Sequence, residues 1–237
     1  MEKNPDKKIG LSVVLPMYNE RDNIKHTLEV LEQNLTGHQF DYEIIVSNDG
    51  STDGSDGVVN GLAGLNKKIR LVGYQKNKGY GCALRNGFKN ATKEFILYTD
   101  ADLPCDISIL KDKALLLEKT DCLIGFREHR HSFRREIYSA VYNFLIRAVF
   151  GVKIKDVNFS FKLFRGNKLL ELELKSKGSF IDAEMMAKSA RKGYKIEEVK
   201  MEFFPRKHGR SKLSSPGTIV YILYEMIKLY PEIMNTK

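Results

Sequence analysis

The stretch that decides the fold reads Phe95-Ile96-Leu97-Tyr98-Thr99-Asp100-Ala101-Asp102-Leu103. A short run of strand-forming residues ends abruptly in two carboxylates separated by one alanine. Because side chains of an extended segment alternate between two faces, Asp100 and Asp102 point the same way and can address one cation. Carboxylate oxygens suit Mg²⁺ or Mn²⁺, so the pattern favours a metal site at the end of a buried strand. Asp-x-Asp pairs also occur at ordinary turns, so the rest of the chain has to support this interpretation.

The composition is that of an ordinary globular protein of 237 residues. Hydrophobic residues make up 42% and charged residues 29% of the chain, which excludes a disordered or collagen-like protein. The cysteines number three, lie far apart and form no C-x-x-C pair, so neither a disulfide framework nor a zinc site is indicated. Residues 1–9 are expected to be a polar tail rather than a signal peptide, and a cytoplasmic protein is expected.

The net charge of +9 predicts an anionic partner, which could be a nucleotide, a phospholipid surface or a nucleic acid. Two apolar stretches, residues 137–150 and 219–230, are interrupted by polar residues. Both are shorter than the ~20 residues that a bilayer-spanning helix needs. Each could be an amphipathic helix in a membrane interface or a helix of the core.

Strand-like and helix-like segments alternate from residue 11 onward. Strands are predicted at residues 11–15, 42–47, 69–74, 95–100, 121–126, 158–164 and 194–204. Helices are predicted at residues 20–35 (with Asn19 as the cap), 53–65, 81–91, 107–119, 134–150 and 182–192. This alternation indicates βαβ units, so we predict one α/β domain with a mostly parallel sheet flanked by helices.

Polar clusters follow the first, second and fourth predicted strands, at residues 16–20, 48–54 and 100–102. Any one of them could be ordinary turn and cap chemistry, since Asn, Asp, Gly and Ser are common in such loops. Ligands of parallel sheets bind at the carboxyl edge of the strands. Three polar loops at that edge therefore predict one ligand-binding cleft.

Two sets of short motifs occur in order along the chain. The first set reads Pro16-x-Tyr18-Asn19-Glu20, Asn48-Asp49-Gly50-Ser51-x-Asp53-Gly54, Asn77-x-Gly79-x-Gly81-x-Ala83 and Asp100-Ala101-Asp102-Leu103. It resembles family 2 glycosyltransferases of the GT-A fold. The second set reads Gly125-x-Arg127, Arg135-x-x-x-Ser139-x-x-x-Asn143, Asp156 followed by Phe161-Lys162-Leu163-Phe164, and Arg206-x-x-Gly209-x-Ser211-Lys212. Together the sets look like the synthases that attach mannose or glucose to polyprenyl or dolichyl phosphate.

The resemblance implies a donor side in the first half of the chain. Pro16, Tyr18 and Glu20 would line the nucleotide pocket, and Asp49 would accept a hydrogen bond from the base. Asp100 and Asp102 would hold Mg²⁺ or Mn²⁺ and, through it, the donor diphosphate. Both aspartates are therefore candidate catalytic, nucleotide-binding and metal-binding residues.

The resemblance also implies an acceptor side. Arg127, Arg135 and Ser139 would bind the lipid phosphate, and Arg206 would lie on the loop that closes over the reacting groups and act in catalysis. Residues 10–237 would form one GT-A domain with interfacial helices near residues 134–150 and 215–232. We expect a peripheral protein on the cytosolic face of a membrane, bound directly or through a separate membrane subunit, with no nucleic-acid partner.

The expected reaction is inverting transfer of a hexose from a sugar nucleotide of the GDP-mannose or UDP-glucose type to polyprenyl or dolichyl phosphate. A phosphate monoester has a second pKa of about 6, so such an acceptor is a dianion at pH 7 and needs no general base. It needs cations, and guanidinium groups bind phosphate bidentately.

Other functions remain open from the sequence. A transferase that acts on a hydroxyl group would need a carboxylate base, for which Asp156, Asp182 and Glu184 are candidates. The absence of tryptophan disfavours processive polysaccharide synthases, and the lack of G-x-G-x-x-G after the first strand disfavours a dehydrogenase. A non-catalytic nucleotide- or nucleic-acid-binding protein would explain the charge, but acidic loops repel phosphate unless a metal intervenes.

The chain departs from the family pattern at four positions. Asn48 stands where an aspartate is common, and Tyr80 replaces a basic residue between the glycines. Ser160 replaces glycine, and Pro104 replaces a glutamine that adds a metal contact. A third protein ligand to the metal is therefore left open, as are the sugar and the base.

Overall fold

The computed structural model describes residues 8–37, 40–113, 116, 119–127, 133–204 and 215–236. Its strands are β1 (Ile9–Met17), β2 (Phe40–Asp49), β3 (Ile69–Tyr74), β4 (Phe95–Thr99), β5 (Cys122–Arg127), β6 (Phe161–Arg165) and β7 (Ile196–Met201). Its helices are α1 (Arg21–Leu35), α2 (Ser55–Leu65), α3 (Tyr80–Asn90), α4 (Ile109–Lys113), α5 (Phe133–Phe150), α6 (Gly166–Leu170), α7 (Ile181–Arg191) and α8 (Pro216–Met234). The strands alternate with helices along most of this length, as the sequence predicts.

All seven strands form one sheet in the order β3-β2-β1-β4-β6-β5-β7. Neighbours among β1, β2, β3 and β4 are parallel, and so are β5 and β7. Strand β6 is antiparallel to both β4 and β5. The predicted α/β fold with a mostly parallel sheet is therefore confirmed, and β6 is the strand that divides its two parallel parts.

Helices cover both faces of the sheet, which explains why β1 is apolar on both sides. Leu11, Val13 and Leu15 pack with α1 in one buried cluster. Val14 points the other way and packs with Leu84 of α3 in a second cluster, to which α7 and α8 also contribute. Two apolar layers around one sheet are the usual arrangement of parallel α/β domains.

Several predicted boundaries differ from the observed ones. The strand predicted from residue 158 begins at Phe161, because residues 157 and 158 form a turn in which the Val157 N–H donates to the Asn143 side chain. Helix α6 was not predicted from the sequence. Of the helix predicted at residues 107–119, α4 covers Ile109–Lys113, and residues 114, 115, 117 and 118 lie outside the described part.

The predicted cap of α1 is also wrong. Asn19 has a positive φ of 57°, and Glu20 occupies the N-cap position without a side-chain capping bond. The Asn19 carbonyl oxygen Oδ1 instead accepts from the Thr52 N–H at 2.8 Å. Asparagine tolerates the left-handed conformation better than most residues, so it can link two loops here rather than cap a helix.

Glu43 of β2 is a buried carboxylate that joins four segments. Its Oε1 accepts from Ser12 Oγ at 2.7 Å, from Thr92 N at 2.7 Å and from Thr92 Oγ1 at 2.9 Å. Its Oε2 accepts from Arg70 Nη2 at 2.7 Å. Burial raises the pKa of Glu43, but these hydrogen bonds outweigh burial and hold the pKa below the ordinary value of 4.5.

We expect Glu43→Gln to lower the free energy of unfolding by about 1–3 kcal/mol at pH 7, because it weakens several charge-assisted hydrogen bonds. A depressed folded-state pKa stabilises the protein above the unfolded-state pKa, and the effect is lost as the pH falls through the folded-state value. Urea unfolding at pH 7 and at about pH 3.5 should therefore show the difference shrinking in acid. The exposed carboxylate of Glu94 provides the control Glu94→Gln, and a pH-independent difference for Glu43 would contradict the prediction.

Candidate active site

The loops after β1 and β2 are hydrogen-bonded to each other at the carboxyl edge of the sheet. Asn19 N donates to Ser51 Oγ at 3.0 Å, and Glu20 N donates to Ser55 Oγ at 2.9 Å. The loop after β4 joins the same edge, where Thr27 Oγ1 of α1 donates to the Ala101 carbonyl at 2.7 Å. The three polar loops predicted to share one edge therefore lie together.

The predicted nucleotide-pocket residues of the first loop lie on this edge. Pro16 is buried within β1, and Tyr18 and Glu20 are half-buried where the strand passes into α1. Glu20 Oε2 accepts from Asn23 Nδ2 at 2.7 Å. The charge of Glu20 also acts on Asp100, which brings the first and third loops into electrostatic contact.

Asp49 supports the glycine-containing loop that precedes α3. Its Oδ1 accepts from Lys78 N at 2.7 Å and its Oδ2 from Gly79 N at 2.9 Å. The side chain is buried, and burial raises its pKa above the ordinary value, against the effect of these N–H groups. Each carboxylate oxygen of Asp49 keeps a further lone pair that could accept a hydrogen bond. The predicted hydrogen bond from a nucleotide base therefore stays a prediction. Support of the loop is an additional role of Asp49.

The glycines of this loop are required by close backbone contacts. Gly79 has φ 106°, and an added Cβ would lie 2.4 Å from the Lys177 carbonyl oxygen. A Cβ on Gly81 would lie 2.5 Å from the Ser176 carbonyl oxygen. Gly81 N donates to the Lys177 carbonyl at 2.8 Å. The loop is thus packed against the turn that contains Ser176 and Lys177.

Asp100 is half-buried and is oriented by two residues at which the chain departs from the family pattern. Tyr80 OH donates to Asp100 Oδ1 at 2.8 Å. Burial raises the pKa of Asp100, and hydrogen bonds from Ser160 and Tyr80 oppose that rise. A neutral phenol and a neutral hydroxyl thus contact Asp100 at these two positions.

A hydrogen-bonded chain continues from Tyr80 into the core. Tyr80 OH and Tyr98 OH lie 2.6 Å apart, and Tyr98 OH also lies 3.2 Å from Asp182 Oδ1, so the one hydrogen of Tyr98 can go to either oxygen. Lys162 Nζ donates to Asp182 Oδ1 at 2.5 Å and to the Phe159 carbonyl at 2.7 Å. Burial raises the pKa of both tyrosines well above the ordinary value of 10.0, so both remain protonated donors.

Arg127, predicted to bind the acceptor phosphate, forms a bidentate ion pair with a buried carboxylate. Its Nε and Nη2 donate to the two oxygens of Asp156 at 2.8 and 3.3 Å. Its guanidinium lies 5.0 Å from the ring centroid of Phe159 and 5.1 Å from that of Phe203. The Nη1 group takes no part in the bond to Asp156, so it is the part of Arg127 that could donate to a phosphate.

Helix α5 is attached next to this ion pair. Asn143 Nδ2 donates to the Lys155 carbonyl at 2.9 Å, and Val157 N donates to Asn143 Oδ1 at 3.2 Å. Ser139, half-buried, precedes Asn143 by one helical turn and so shares its face. Arg135 lies a further turn back, but its side chain lies outside the described part of the structure. Arg206, the other predicted acceptor residue, also lies outside it.

The carboxylates considered as a general base are each engaged with a cation. Asp156 pairs with Arg127, and Asp182 pairs with Lys162. Glu184 is fully buried, lies 2.8 Å from Lys188 Nζ and accepts from Lys175 N and Ser176 N. A general base has to reach the proton that it removes, and Glu184 in particular is closed off from the edge of the sheet.

Asp100 and Asp102 lie beyond the end of β4, in a turn closed by Leu103 N donating to the Asp100 carbonyl, so the extended segment predicted to place both on one side does not reach them. Their carboxylates are still the kind of ligand that a hard cation shared with a substrate takes. Within the described ranges, no group of three or more His, Cys, Asp or Glu side chains could hold a metal by itself. Two carboxylates leave most of an octahedral shell to water and phosphate oxygens, as Mg²⁺ sites often do. The residues therefore fit a metal bound together with a diphosphate.

The structural roles of some residues near the site were not predicted from the sequence, even where a residue lies within a motif. Lys162 gives a weak signal, since it is a lysine within an apolar strand that had to be buried. Glu225 gives a similar signal within the apolar helix α8. Neither signal predicts which residue pairs with Lys162 or Glu225, because their partners are distant in sequence.

A mostly parallel sheet with an acidic pair and a glycine loop at its carboxyl edge defines the class of GT-A glycosyltransferase folds. The model of glycosyl transferase family 2 matches residues 12–172, and the chain belongs to this family.

The curated relatives are longer than this chain. The chain is 29% identical over 230 residues to dodecaprenyl-phosphate galacturonate synthase of Rhizobium johnstonii, which covers 93% of this chain and 66% of the relative. It is 29% identical over 214 residues to glycosyltransferase AglD of Haloferax volcanii, covering 84% of this chain and 34% of the relative. This chain thus corresponds to only part of each relative.

Solved structures share the fold at low sequence identity. Glucosyl-3-phosphoglycerate synthase of Mycobacterium tuberculosis, in complex with Mn²⁺, UDP and glucosyl-3-phosphoglycerate, superposes with a TM-score of 0.67 at 18% identity over 91% of this chain and 79% of its own. S. aureus TarS superposes with a TM-score of 0.63 at 18% identity, over 97% and 66% of the two chains.

We expect Lys162→Met to lower the free energy of unfolding by about 3–5 kcal/mol, because it leaves the Asp182 carboxylate buried without its cation. The double variant Lys162→Met, Asp182→Asn should regain part of that loss, since the uncompensated charge is gone. Chemical denaturation measures both. The control Lys25→Met removes an exposed helical pair, 3.9 Å from Glu29, and should cost less than about 0.5 kcal/mol. Equal losses for Lys25 and Lys162 would contradict the prediction.

Proposed function

We propose that this protein transfers a hexose from a sugar nucleotide to a polyprenyl phosphate, with inversion at the anomeric carbon. The observation that carries the proposal is the asymmetry of the site. The donor edge holds the carboxylates Asp100 and Asp102, whereas the carboxylates considered as acceptor-side bases pair with cations. One relative supports the acceptor class, since it is named dodecaprenyl-phosphate galacturonate synthase and is similar over 93% of this chain.

The acceptor chemistry matches this asymmetry. A lipid monophosphate is already deprotonated at pH 7, so the transferase needs no base and gains from cationic groups instead. Arg127 can contribute Nη1, while its pairing with Asp156 and its aromatic neighbours keep the guanidinium fixed. We include Ser139, Arg135 and Arg206 in the acceptor side on the strength of the motifs.

In the proposed mechanism, Asp100 and Asp102 would hold Mg²⁺ or Mn²⁺. Such an ion supplies positive charge that stabilises the diphosphate as it leaves. Tyr80 and Ser160 keep Asp100 oriented by their hydrogen bonds. The acceptor phosphate oxygen forms the new bond to the anomeric carbon on the face opposite the diphosphate, whose bond breaks. No proton has to move in this step.

The proposed membrane contact rests on the outer faces of α5 and α8. No helix in the described ranges is long and apolar enough to span a bilayer. Large apolar side chains are nevertheless exposed on α5 at Ile137, Tyr138, Val141 and Phe144, and on α8 at Ile219, Val220, Tyr221, Leu223, Tyr224, Ile227 and Tyr230. We propose that these faces lie in the cytosolic membrane interface, where the acceptor phosphate is displayed.

We expect label from at least one sugar nucleotide to appear in lipid when polyprenyl phosphate and Mn²⁺ or Mg²⁺ are supplied, and none when free polyprenol replaces the phosphate. Asp102→Asn should lower the rate by roughly 100-fold or more, because an electrostatic stabiliser of the leaving group is weakened. Asp106→Asn is the control, since Asp106 is exposed and accepts hydrogen bonds from Ser108 N and Ser108 Oγ. Transfer to the alcohol, or full activity of Asp102→Asn, would contradict the proposal.

We also expect the purified chain to bind vesicles that contain anionic lipid. Val220 and Ile227 of α8 are 67% and 72% exposed. Replacing both by serine should reduce vesicle partitioning by roughly 10-fold or more, because less apolar area can enter the interface. Leu65→Ser at the end of α2, where the leucine is 88% exposed, is the matched control. Flotation assays measure binding. An equal loss in Leu65→Ser, or no vesicle binding by the unchanged chain, would favour recruitment by a separate membrane subunit.

A further inference from the structure

Glu225 of α8 is a buried carboxylate whose partners all belong to one turn. Only 4% of the residue is exposed. Its Oε1 accepts from Lys177 N at 2.7 Å, and its Oε2 accepts from Ser176 Oγ at 2.8 Å and from Gly178 N at 3.1 Å. One side chain of α8 therefore satisfies three donors of residues 176–178, which we call the bracing turn.

The bracing turn supports the glycine loop, which we define as residues 77–81 and which includes the first two residues of α3. The Lys177 carbonyl accepts from Gly81 N at 2.8 Å. The backbone of the turn lies so close that a side chain at Gly79 or Gly81 would collide with its carbonyl oxygens, at 2.4 and 2.5 Å. The turn directs the N–H groups of Lys177 and Gly178 to Glu225 and the N–H group of Ser176 to Glu184. The carbonyl groups of Ser176 and Lys177 face the glycine loop.

The other side of the glycine loop faces the donor edge. Asp49 accepts from Lys78 N and Gly79 N, and Tyr80 OH donates to Asp100. Glu225 is thus connected to Asp100 through the bracing turn and the glycine loop. Each link is a hydrogen bond or a backbone contact at van der Waals distance.

We propose that Glu225 is a positioning residue for the donor site, acting through the bracing turn to fix the glycine loop and the Tyr80 hydroxyl. Without its carboxylate, the N–H groups of Lys177 and Gly178 lose their acceptor, and Glu184 then holds only the first part of the turn, through Lys175 N and Ser176 N. The loop then has to be ordered when a donor binds, which lowers affinity. The effect on donor affinity rests on the proposed function; the effect on the loop does not.

The first test measures amide hydrogen exchange of the full chain and of Glu225→Gln. We expect peptides that contain residues 77–83 and 175–179 to exchange about tenfold faster or more in the variant, since their hydrogen bonds open more often. A peptide from β1 should be unchanged. The matched control is Glu232→Gln on the same helix, where Glu232 pairs with Lys175 and Lys188 rather than with the turn. Unchanged exchange at residues 77–83 in Glu225→Gln, or equal acceleration in Glu232→Gln, overturns the proposal.

The second test measures binding of UDP and GDP in the presence of Mn²⁺ by calorimetry. The dissociation constant should rise about tenfold in Glu225→Gln and stay unchanged in Glu232→Gln, and the donor KM should rise while the acceptor KM does not. Equal donor affinity of Glu225→Gln and the unchanged chain overturns the proposal. If the unchanged chain binds neither nucleotide, the proposed function fails, and hydrogen exchange still decides the role of Glu225.

A third variant covers the case in which Glu225→Gln does not fold. A Cβ on Gly178 would lie 2.8 Å from the Tyr221 ring and 3.0 Å from Glu225 Oε2. Gly178→Ala should therefore push α8 away from the turn while keeping the carboxylate. Faster exchange at residues 77–83 supports the proposal, and a folded Gly178→Ala with unchanged exchange there overturns it.

Discussion

The donor edge depends on the ammonium group of Lys162. It pairs with Asp182 in the core, and its charge also acts on Asp100, which is joined to Asp182 through the two tyrosine hydroxyls. Burial raises the pKa of both carboxylates, and the charge of Asp100 adds to the rise at Asp182. Lys162 opposes both effects. Lys162 thus favours the charged form of Asp100, because its ion pair with Asp182 is buried directly behind the candidate cation site.

This arrangement gives the tyrosines a defined chemical role. A phenol that titrated near neutrality would change the charge around Asp100, but burial keeps both phenols protonated. Tyr98 has one hydrogen and two neighbours that can accept it, Tyr80 and Asp182. The chain is thus held together by neutral donors. When Lys162, Asp182 and Asp100 are all ionised, their charges sum to one negative charge, which favours binding of a cation.

The parallel half of the fold was predictable because its signals are local. The apolar runs of β1, β2 and β4 and the amphipathic helices between them are each readable within a short window. Strand pairing is not local, so the antiparallel insertion of β6 between β4 and β5 could not be read from its own residues. The same limit applies to the site. Asp100 and Asp102 are adjacent in a motif, whereas the partners of Lys162, Arg127 and Glu225 come from distant segments. The positive charge of Arg127 indicated a phosphate ligand, but its buried partner Asp156 is visible only in the fold.

Helix α8 shows why one buried carboxylate matters in an otherwise apolar element. Met226, Leu229 and Ile233 pack one side of α8 into the second apolar cluster, and a rotation of the helix would expose them to water. Hydrogen bonds are directional, and the three that Glu225 accepts fix one side of α8 against the bracing turn. With that side fixed, Val220, Tyr224 and Ile227 have to face outward. Glu225 therefore contributes both to the orientation of the apolar face and to the contact of α8 with the bracing turn, which is hydrogen-bonded to the glycine loop.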